Sequence, residues 1–358
     1  MALVVIAAAG FAYLRSNATL PTTQTNGVPS TNPLQVTTNQ TIRYDFVTPS
    51  EGWAAENEVG PSGGAGQFRV FRTVDAARHW TLQLAGPSSL PGFAPLLVQF
   101  FDQKQGFMEV GLPMELYRTA DGGAHWQTVG LPTPRMFAIT FSDLNHGWSL
   151  AGPNGLYATV DGGYTWQNLP DPPADAYYIS GGSLAFRRPT EGWMGSVGPG
   201  PPHVYASTDM GLTWQRHDLP PPPGRIWDTS GSGTTVQLLP QIGTVATTES
   251  GVTGSSEIDL FTSFDTGSTW RFVPPPPGYI SYQDAFHWWA IKGRVLSKSS
   301  DAGQTWVQIS DTLPDWQILP DILDSKHAWS VIVARGFGLA LTSDGGLHWT
   351  RANVPQLQ

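Results

Sequence analysis

Cysteine is absent from the 358 residues, which excludes a disulfide frame, a thiol nucleophile and a thiolate metal site. Lysine is scarce: Lys104, Lys292, Lys298 and Lys326 are the whole set. Charged residues make up only 13% of the chain and the formal net charge is −9. That balance argues against a basic face for a phosphate backbone, and so against a nucleic-acid partner. Long apolar runs are missing too, with one exception. Ala2–Leu14 is uninterrupted apolar sequence, ended by Arg15. It is too short to span a bilayer comfortably. It fits the apolar core of a signal peptide that lacks its positive leading region, or the tail of a membrane anchor. Ser16–Gln40 then carries no charge and is rich in Asn, Thr, Gln and Pro. Such a segment cannot bury enough apolar surface to fold. We therefore read 1–15 as a truncated signal peptide or membrane anchor, 16–40 as a polar disordered linker, and 41–358 as the folded body. The expected location is extracytoplasmic, secreted or held at a membrane by the N-terminal segment alone. The glycosylation patterns at Asn17 and Asn39 add nothing to that reading by themselves.

What the chain does have is glycine (40), proline (31) and tryptophan (15). That is the composition of a turn-rich, aromatic-rich β-protein. The tryptophans are not scattered. An eight-residue signature, Ser/Thr-x-Asp-x-Gly-x-Thr/His-Trp, recurs seven times, beginning at Thr73, Thr119, Thr159, Ser207, Ser263, Ser299 and Thr342. Start-to-start spacings of 46, 40, 48, 56, 36 and 43 residues mark a repeat architecture. Each unit reads as a strand, a turn into a second strand opening on Gly-Trp, a third strand, the box, and a fourth strand. Gly52–Trp53, Gly147–Trp148 and Gly192–Trp193 carry that second signal. Gly106–Phe107, Trp288–Trp289 and Ala328–Trp329 vary it, and the fifth unit replaces it with Gly243–Val245. Four short strands per unit of about 40 residues are the pattern of a propeller blade. The predicted fold is all-β: a seven-bladed β-propeller of four-stranded antiparallel blades.

The box residues suit a hairpin turn. Asp75, Asp121, Asp161, Asp209, Asp265, Asp301 and Asp344 can accept from backbone N–H groups two and three residues on. The glycine can take positive φ. Trp80, Trp126, Trp166, Trp214, Trp270, Trp306 and Trp349 can bury their faces against the blade. Ala77 stands where the other six boxes have glycine, so the first turn is expected to be strained or rebuilt. His79, His125 and His348 stand where four boxes have threonine. Proline-rich connectors follow most boxes, as at Pro220–Pro223 and Pro274–Pro277, and aromatic residues follow the connectors. Closure of the ring uses little strand exchange, or recruits Leu34–Thr41 onto the last blade.

This signature resembles the Asp-box, or BNR, repeat shared by sialidases, large xyloglucanases, sortilin-type receptors and the photosystem II stability/assembly factor family. The extended form, with Gly-Trp before the box, is most similar in pattern to the last of these. The resemblance covers roughly residues 42 to 354 and implies that the seven aspartates are structural, lying on the outer rim.

Other constellations were weighed on that frame. Glu51, Gln105, His146, Glu191, His287 and His327 precede the Gly-Trp position and would stand on one rim, too far apart to share one ion. They read as solvated turn residues, and no cofactor or metal is expected. A sialidase site would need an arginine triad, a Tyr–Glu pair and an acidic Asp. Gln67–Val70 is a poor echo of the first arginine motif, and Arg187, Arg188, Arg225 and Arg294 would have to converge. A xyloglucanase site would need two propellers. The family's arginine-rich partner patch has no counterpart in fifteen dispersed arginines. The connector aromatics Tyr177, Tyr178, Trp227, Tyr279, Tyr282 and Trp316 form a candidate binding face, unless they plug the propeller's own mouth. The function read from the sequence is a monomeric, non-catalytic scaffold, assembly or recognition module for a protein or glycan partner. The alternative is a glycoside hydrolase.

Overall fold

The computed structural model describes residues 40–355 apart from the stretches 59–65, 89–96, 111–114, 134–135, 152–154, 177–183, 199, 228–231, 251–256, 314–318 and 333–337. The signal or anchor and nearly all of the linker read from the sequence lie outside the described residues. The described residues form strands and turns without a helix, in seven sheets. Blade 1 is β1 (Gln40–Phe46), β2 (Gly52–Glu58), β3 (Gly66–Thr73) and β4 (Thr81–Ser88). Blade 2 is β5 (Leu97–Phe100), β6 (Gly106–Val110), β7 (Glu115–Thr119) and β8 (Gln127–Val129). Blade 3 is β9 (Met136–Phe141), β10 (Gly147–Ala151), β11 (Gly155–Thr159) and β12 (Gln167–Asn168). In blade 4, β13 (Leu184–Arg188) and β14 (Glu191–Met194) are followed by a short β15 (Ser196–Gly198), then β16 (His203–Ser207) and β17 (Gln215–Asp218). Blade 5 is β18 (Ser232–Leu238), β19 (Thr244–Ser250), β20 (Glu257–Ser263) and β21 (Arg271–Val273). Blade 6 is β22 (Tyr279–Tyr282), β23 (Trp288–Lys292), β24 (Val295–Ser299) and β25 (Val307–Ser310). Blade 7 is β26 (Asp321–Ile322), β27 (Ala328–Ile332), β28 (Gly338–Thr342) and β29 (Thr350–Ala352). Every strand pairing is antiparallel, and the blades make a seven-bladed β-propeller, as the repeats predict.

One departure is the strand β15. It leaves blade 4 and pairs with β18, giving blade 5 a fifth strand. Gly195 permits the crossing, because a Cβ there would lie 2.0 Å from the Thr234 carbonyl oxygen.

The chain divides into two compact units, one built on residues 128–313 and the other on 14–127 with 314–358. In the first unit the core consists of three clusters between successive sheets. Trp148, Leu156 and Phe186 lie in the cluster joining blades 3 and 4. Trp193, Val236 and Phe261 join blades 4 and 5, and Leu239, Val245 and Trp288 join blades 5 and 6. The motif tryptophan makes the contact. Trp148 is fully buried and stacks on Phe186 of the next blade, with centroids 3.7 Å apart and planes 3° from parallel. Its Nε1–H donates to the Met210 carbonyl in the next blade's box (2.9 Å). The glycine before the tryptophan makes room for the phenylalanine of its own first strand. A Cβ on Gly192 would lie 2.1 Å from Phe186. Blade 6 solves the same problem differently, setting Trp288 edge-on to Tyr282 at 4.9 Å.

The second unit repeats the device. Trp53 stacks on Phe100 at 3.6 Å and its Nε1–H donates to the Gly122 carbonyl (3.2 Å). Blades 7 and 1 meet through Trp329, Tyr44 and Phe46. Their edges are tied by Trp80 Nε1–H to the Asn353 carbonyl (2.9 Å) and by Asn353 N–H to the Ala77 carbonyl (3.2 Å). Blades 1 and 7 each complete four strands from their own segment, so they meet by packing and hydrogen bonds without strand exchange. Gln40 and Thr41 pair with Glu58 and Asn57 of the first blade, not with the last.

Removing a fully buried indole forfeits both its packing and a hydrogen bond. Trp148→Ala is therefore expected to lower unfolding free energy by about 3–5 kcal/mol, and Trp166→Ala, whose indole is only half-buried, by clearly less. Urea unfolding of the two variants checks this, and equal losses would contradict the role given to Trp148.

Candidate functional site

The seven boxes share one geometry. The first-position hydroxyl donates to the aspartate Oδ1, as in Thr159 to Asp161 (2.8 Å). The same hydroxyl accepts the N–H of the fifth position, as from Gly163 (2.9 Å). The aspartate accepts chiefly from the seventh residue, four positions on, which the sequence does not suggest, and in two boxes the backbone N–H three positions on, of Tyr164 and Gln304, joins it as expected. Asp161 Oδ1 takes the Thr165 N–H (2.9 Å) and Oδ2 takes its hydroxyl (2.6 Å). In the three histidine boxes the ring replaces the hydroxyl, with His79, His125 and His348 Nδ1 each 2.6 Å from the aspartate Oδ2.

The fourth and fifth positions are left-handed in all seven boxes. Six glycines at the fifth position (Gly123, Gly163, Gly211, Gly267, Gly303 and Gly346) and three at the fourth (Gly122, Gly162 and Gly345) have φ between 73° and 90°. Ala76 and Ala77 hold the same conformation at φ 58° and 59°, so the first turn is strained, not rebuilt. In six blades the fourth-position N–H also donates to a carbonyl in the turn between first and second strands, as Gly162 does to Asn145 (2.8 Å).

The carboxyl groups respond to this surrounding. The His79 ring, with its backbone N–H, holds Asp75 down at about 2. The backbone N–H groups of His125 and His348 lead in lowering Asp121 and Asp344 to about 2. All seven box aspartates are thus engaged inside their own turns. They form no shared inward-facing site, and among the described residues no group of three His, Asp or Glu could hold a metal ion.

The rim residues before the Gly-Trp position are also engaged locally. His146, His287 and His327 each place Nδ1 within hydrogen-bonding distance of the aspartate three residues earlier (2.8–3.0 Å). Glu51 pairs with Arg72, and Glu191 with Arg187 and Arg188. The arginines considered for substrate do not converge: Arg225 pairs with Asp259 and Arg294 donates to the Leu313 carbonyl. Of the candidate aromatic face, Tyr177, Tyr178 and Trp316 lie outside the described residues. Trp227 packs against Phe261 and donates to the Leu219 carbonyl (2.9 Å). Tyr282 sits under Trp288, at the strand end opposite Tyr279, and burial raises its phenol. Tyr279 is 56% exposed.

Two polar groupings escaped the sequence. In blade 4, buried His203 places Nε2 3.1 Å from Asp175 Oδ2 and Nδ1 2.9 Å from the Pro201 carbonyl. Tyr205 donates to the same aspartate (2.6 Å), and burial, helped by Asp175, pushes its phenol up to about 12. This network fastens the connector after blade 3, whose Asp175 carbonyl accepts the Val197 N–H of β15 (2.7 Å). In the other unit, Arg43, Glu56, Arg69 and Glu109 are all buried, and Arg69 Nη1 donates to Glu56 Oε1 (2.8 Å). Neither has a local motif: 28 residues separate Asp175 from His203.

Residues 124–258 match the family model of the photosynthesis system II assembly factor YCF48. The chain is an Asp-box β-propeller similar to that family. A solved structure of YCF48 bound to a D1 peptide superposes with a TM-score of 0.52 at 16% identity, over 87% of this chain and 92% of that one. YCF48 from Cyanidioschyzon merolae gives 0.46 at 18%, over 84% and 92%. A GH74 xyloglucanase from Xanthomonas campestris gives 0.51 at 14%, over 86% of this chain and 60% of that one. The first and third of these, at 16% and 14% identity, share the fold alone. No curated protein matches the chain.

Asp75, Asp121 and Asp344 are lowered on folding, so their contribution is complete above the unfolded value near 4 and drains away as pH falls through about 2. The melting temperature should hold from pH 7 to about 4 and drop steeply below it. Replacing the three by Asn should flatten that drop, and an unchanged slope in thermal melts would refute the assignment.

Proposed function

We propose that this propeller is a non-catalytic scaffold that recognises a protein partner during assembly. The observation that carries the reading is the YCF48 family match over 124–258, in a chain whose repeated carboxylates are all consumed by turn geometry. A solved neighbour carries a bound peptide, which favours protein over glycan as the partner class. The apolar Ala2–Leu14 and the uncharged linker support placement outside the cytoplasm, with membrane contact through that segment alone. Crosslinking of the full chain in its native cells, followed by mass spectrometry, should yield one dominant protein partner. A glycan array with strong selective binding and no protein partner would reverse the assignment. A phosphatase reporter fused after Gln40 should be active outside the cytoplasm, and an inactive reporter would refute export.

One observation favours glycoside hydrolysis as the second reading. Glu56 and Glu109 are buried carboxylates on the second strands of blades 1 and 2. Carboxylate pairs perform that chemistry. Glu56, however, is bound to Arg69, which favours a structural ion pair. Fluorogenic glycosides should show no turnover. Turnover lost in both Glu56→Gln and Glu109→Gln would establish the enzyme instead.

A further inference from the structure

Blade 5 breaks the pattern of its neighbours at the edge carrying the box. Its turn between first and second strands is Leu239–Gly243, with neither the aspartate nor the ion-paired residue found in other blades. Gln241 at the apex is left-handed at φ 68°, a conformation that costs a non-glycine residue about 1 kcal/mol or more. Among the described residues, its box makes no fourth-position bond to that turn, although the other six do. Phe264, at the second position of the box, packs on Gly243 instead, where a Cβ would lie 2.8 Å from its ring. Phe264 then stacks on Phe286 of blade 6, with centroids 5.2 Å apart and planes 21° from parallel. The outcome is exposed apolar surface: Ile242 is 51% and Phe286 49% exposed.

A cationic margin borders this patch. Arg187 of blade 4 donates through Nη2 to the Gly243 carbonyl (2.5 Å), which places its guanidinium against the rebuilt turn. Its Nη1 is buried without a hydrogen-bond partner. Arg188 beside it has a side chain 62% exposed. These two cations share a single carboxylate, Glu191. The nearby aspartates are engaged elsewhere, Asp265 by Thr269 and Ser263, and Asp284 by His287. Arg188, which shares Glu191 with Arg187, therefore presents the exposed guanidinium of this margin. An apolar centre with a charged rim is how short peptide segments are held.

The geometry points to the box edge of blades 4 to 6 as a docking surface for a partner peptide whose apolar side chain covers Ile242 and Phe286 and whose adjacent carboxylate meets the exposed Arg188. This rests on the scaffold reading and names where and by what chemistry the partner is held. Phe264 packs into the cluster joining blades 5 and 6, but Ile242 and Phe286 stay half exposed beside a backbone strained at Gln241, and a covering partner recovers that apolar area.

Three fluorescein-labelled synthetic peptides of about ten residues test this with the full chain. One carries Phe-Leu flanked by Asp and Glu, one carries Phe-Leu flanked by Lys, and one keeps the acids but replaces Phe-Leu by Ser-Ser. Fluorescence polarisation should show binding of the first alone. Its Kd should rise about tenfold or more in Ile242→Ser/Phe286→Ser and in Arg188→Glu. Ile226→Ser, at a 92% exposed connector position on the opposite edge, should leave it unchanged. Thermal melts within a few degrees of the parent protein confirm that the variants fold. If the parent binds none of the peptides, or binds the lysine peptide as well as the acidic one, the surface is refuted. If all variants bind equally, the surface is refuted while the scaffold reading stands, because crosslinking to a protein partner tests that reading separately.

Discussion

The stack of a second-strand indole on the next blade's phenylalanine underlies much of the rest. Trp148 on Phe186 and Trp53 on Phe100 are nearly parallel pairs at 3.6–3.7 Å, and each indole N–H reaches into the following box. A four-stranded antiparallel sheet buries little by itself. It becomes stable when both faces are covered by neighbours, and the stack covers them while fixing the height of one sheet against the next. The box must then present its fourth-position carbonyl at the right place. Gly122 and Met210 do so, and both are left-handed, a conformation that the fourth and fifth positions share in all seven boxes.

Box and Gly-Trp motif are thus parts of one joint. The aspartate holds the turn closed, the turn offers the carbonyl, and Trp53 and Trp148 of the preceding blades take it in boxes two and four. Histidine can replace threonine in the seventh position because an imidazole Nδ1 reaches the same carboxylate oxygen at the same 2.6 Å. The motif tolerates changes that preserve a donor there. It tolerates Ala77 because the hydrogen bonds of the turn outweigh the cost of a left-handed alanine.

The blades depart from the common pattern where this joint is relaxed. Blade 5 has no motif tryptophan, and its turn lacks the tie to the box, so its edge was free to be rebuilt around Gly243, Phe264 and Phe286. Blade 4 diverts β15 onto blade 5 and secures the crossing with Asp175, His203 and Tyr205. The box geometry recurs in all seven blades while the contacts beside it vary from edge to edge.

Repeat spacing, the box and Gly-Trp determined the blade count, the strand order and the structural role of Asp75, Asp121, Asp161, Asp209, Asp265, Asp301 and Asp344, because each depends on residues a few positions apart. The donor geometry of the aspartates was only partly legible, since left-handed φ at two positions lengthens the reach of the carboxylate to the seventh residue. Tyr282 read as a connector aromatic, yet strand β22 carries it to the other end of the blade from Tyr279, and only pairing with β23 decides that. The Asp175–His203 contact, the diversion of β15 and the Arg187–Gly243 contact join residues 28 to 56 positions apart. No local pattern encodes such pairs. They exist because neighbouring sheets are pressed together by the buried indoles, and packing of that kind is a property of the folded chain alone.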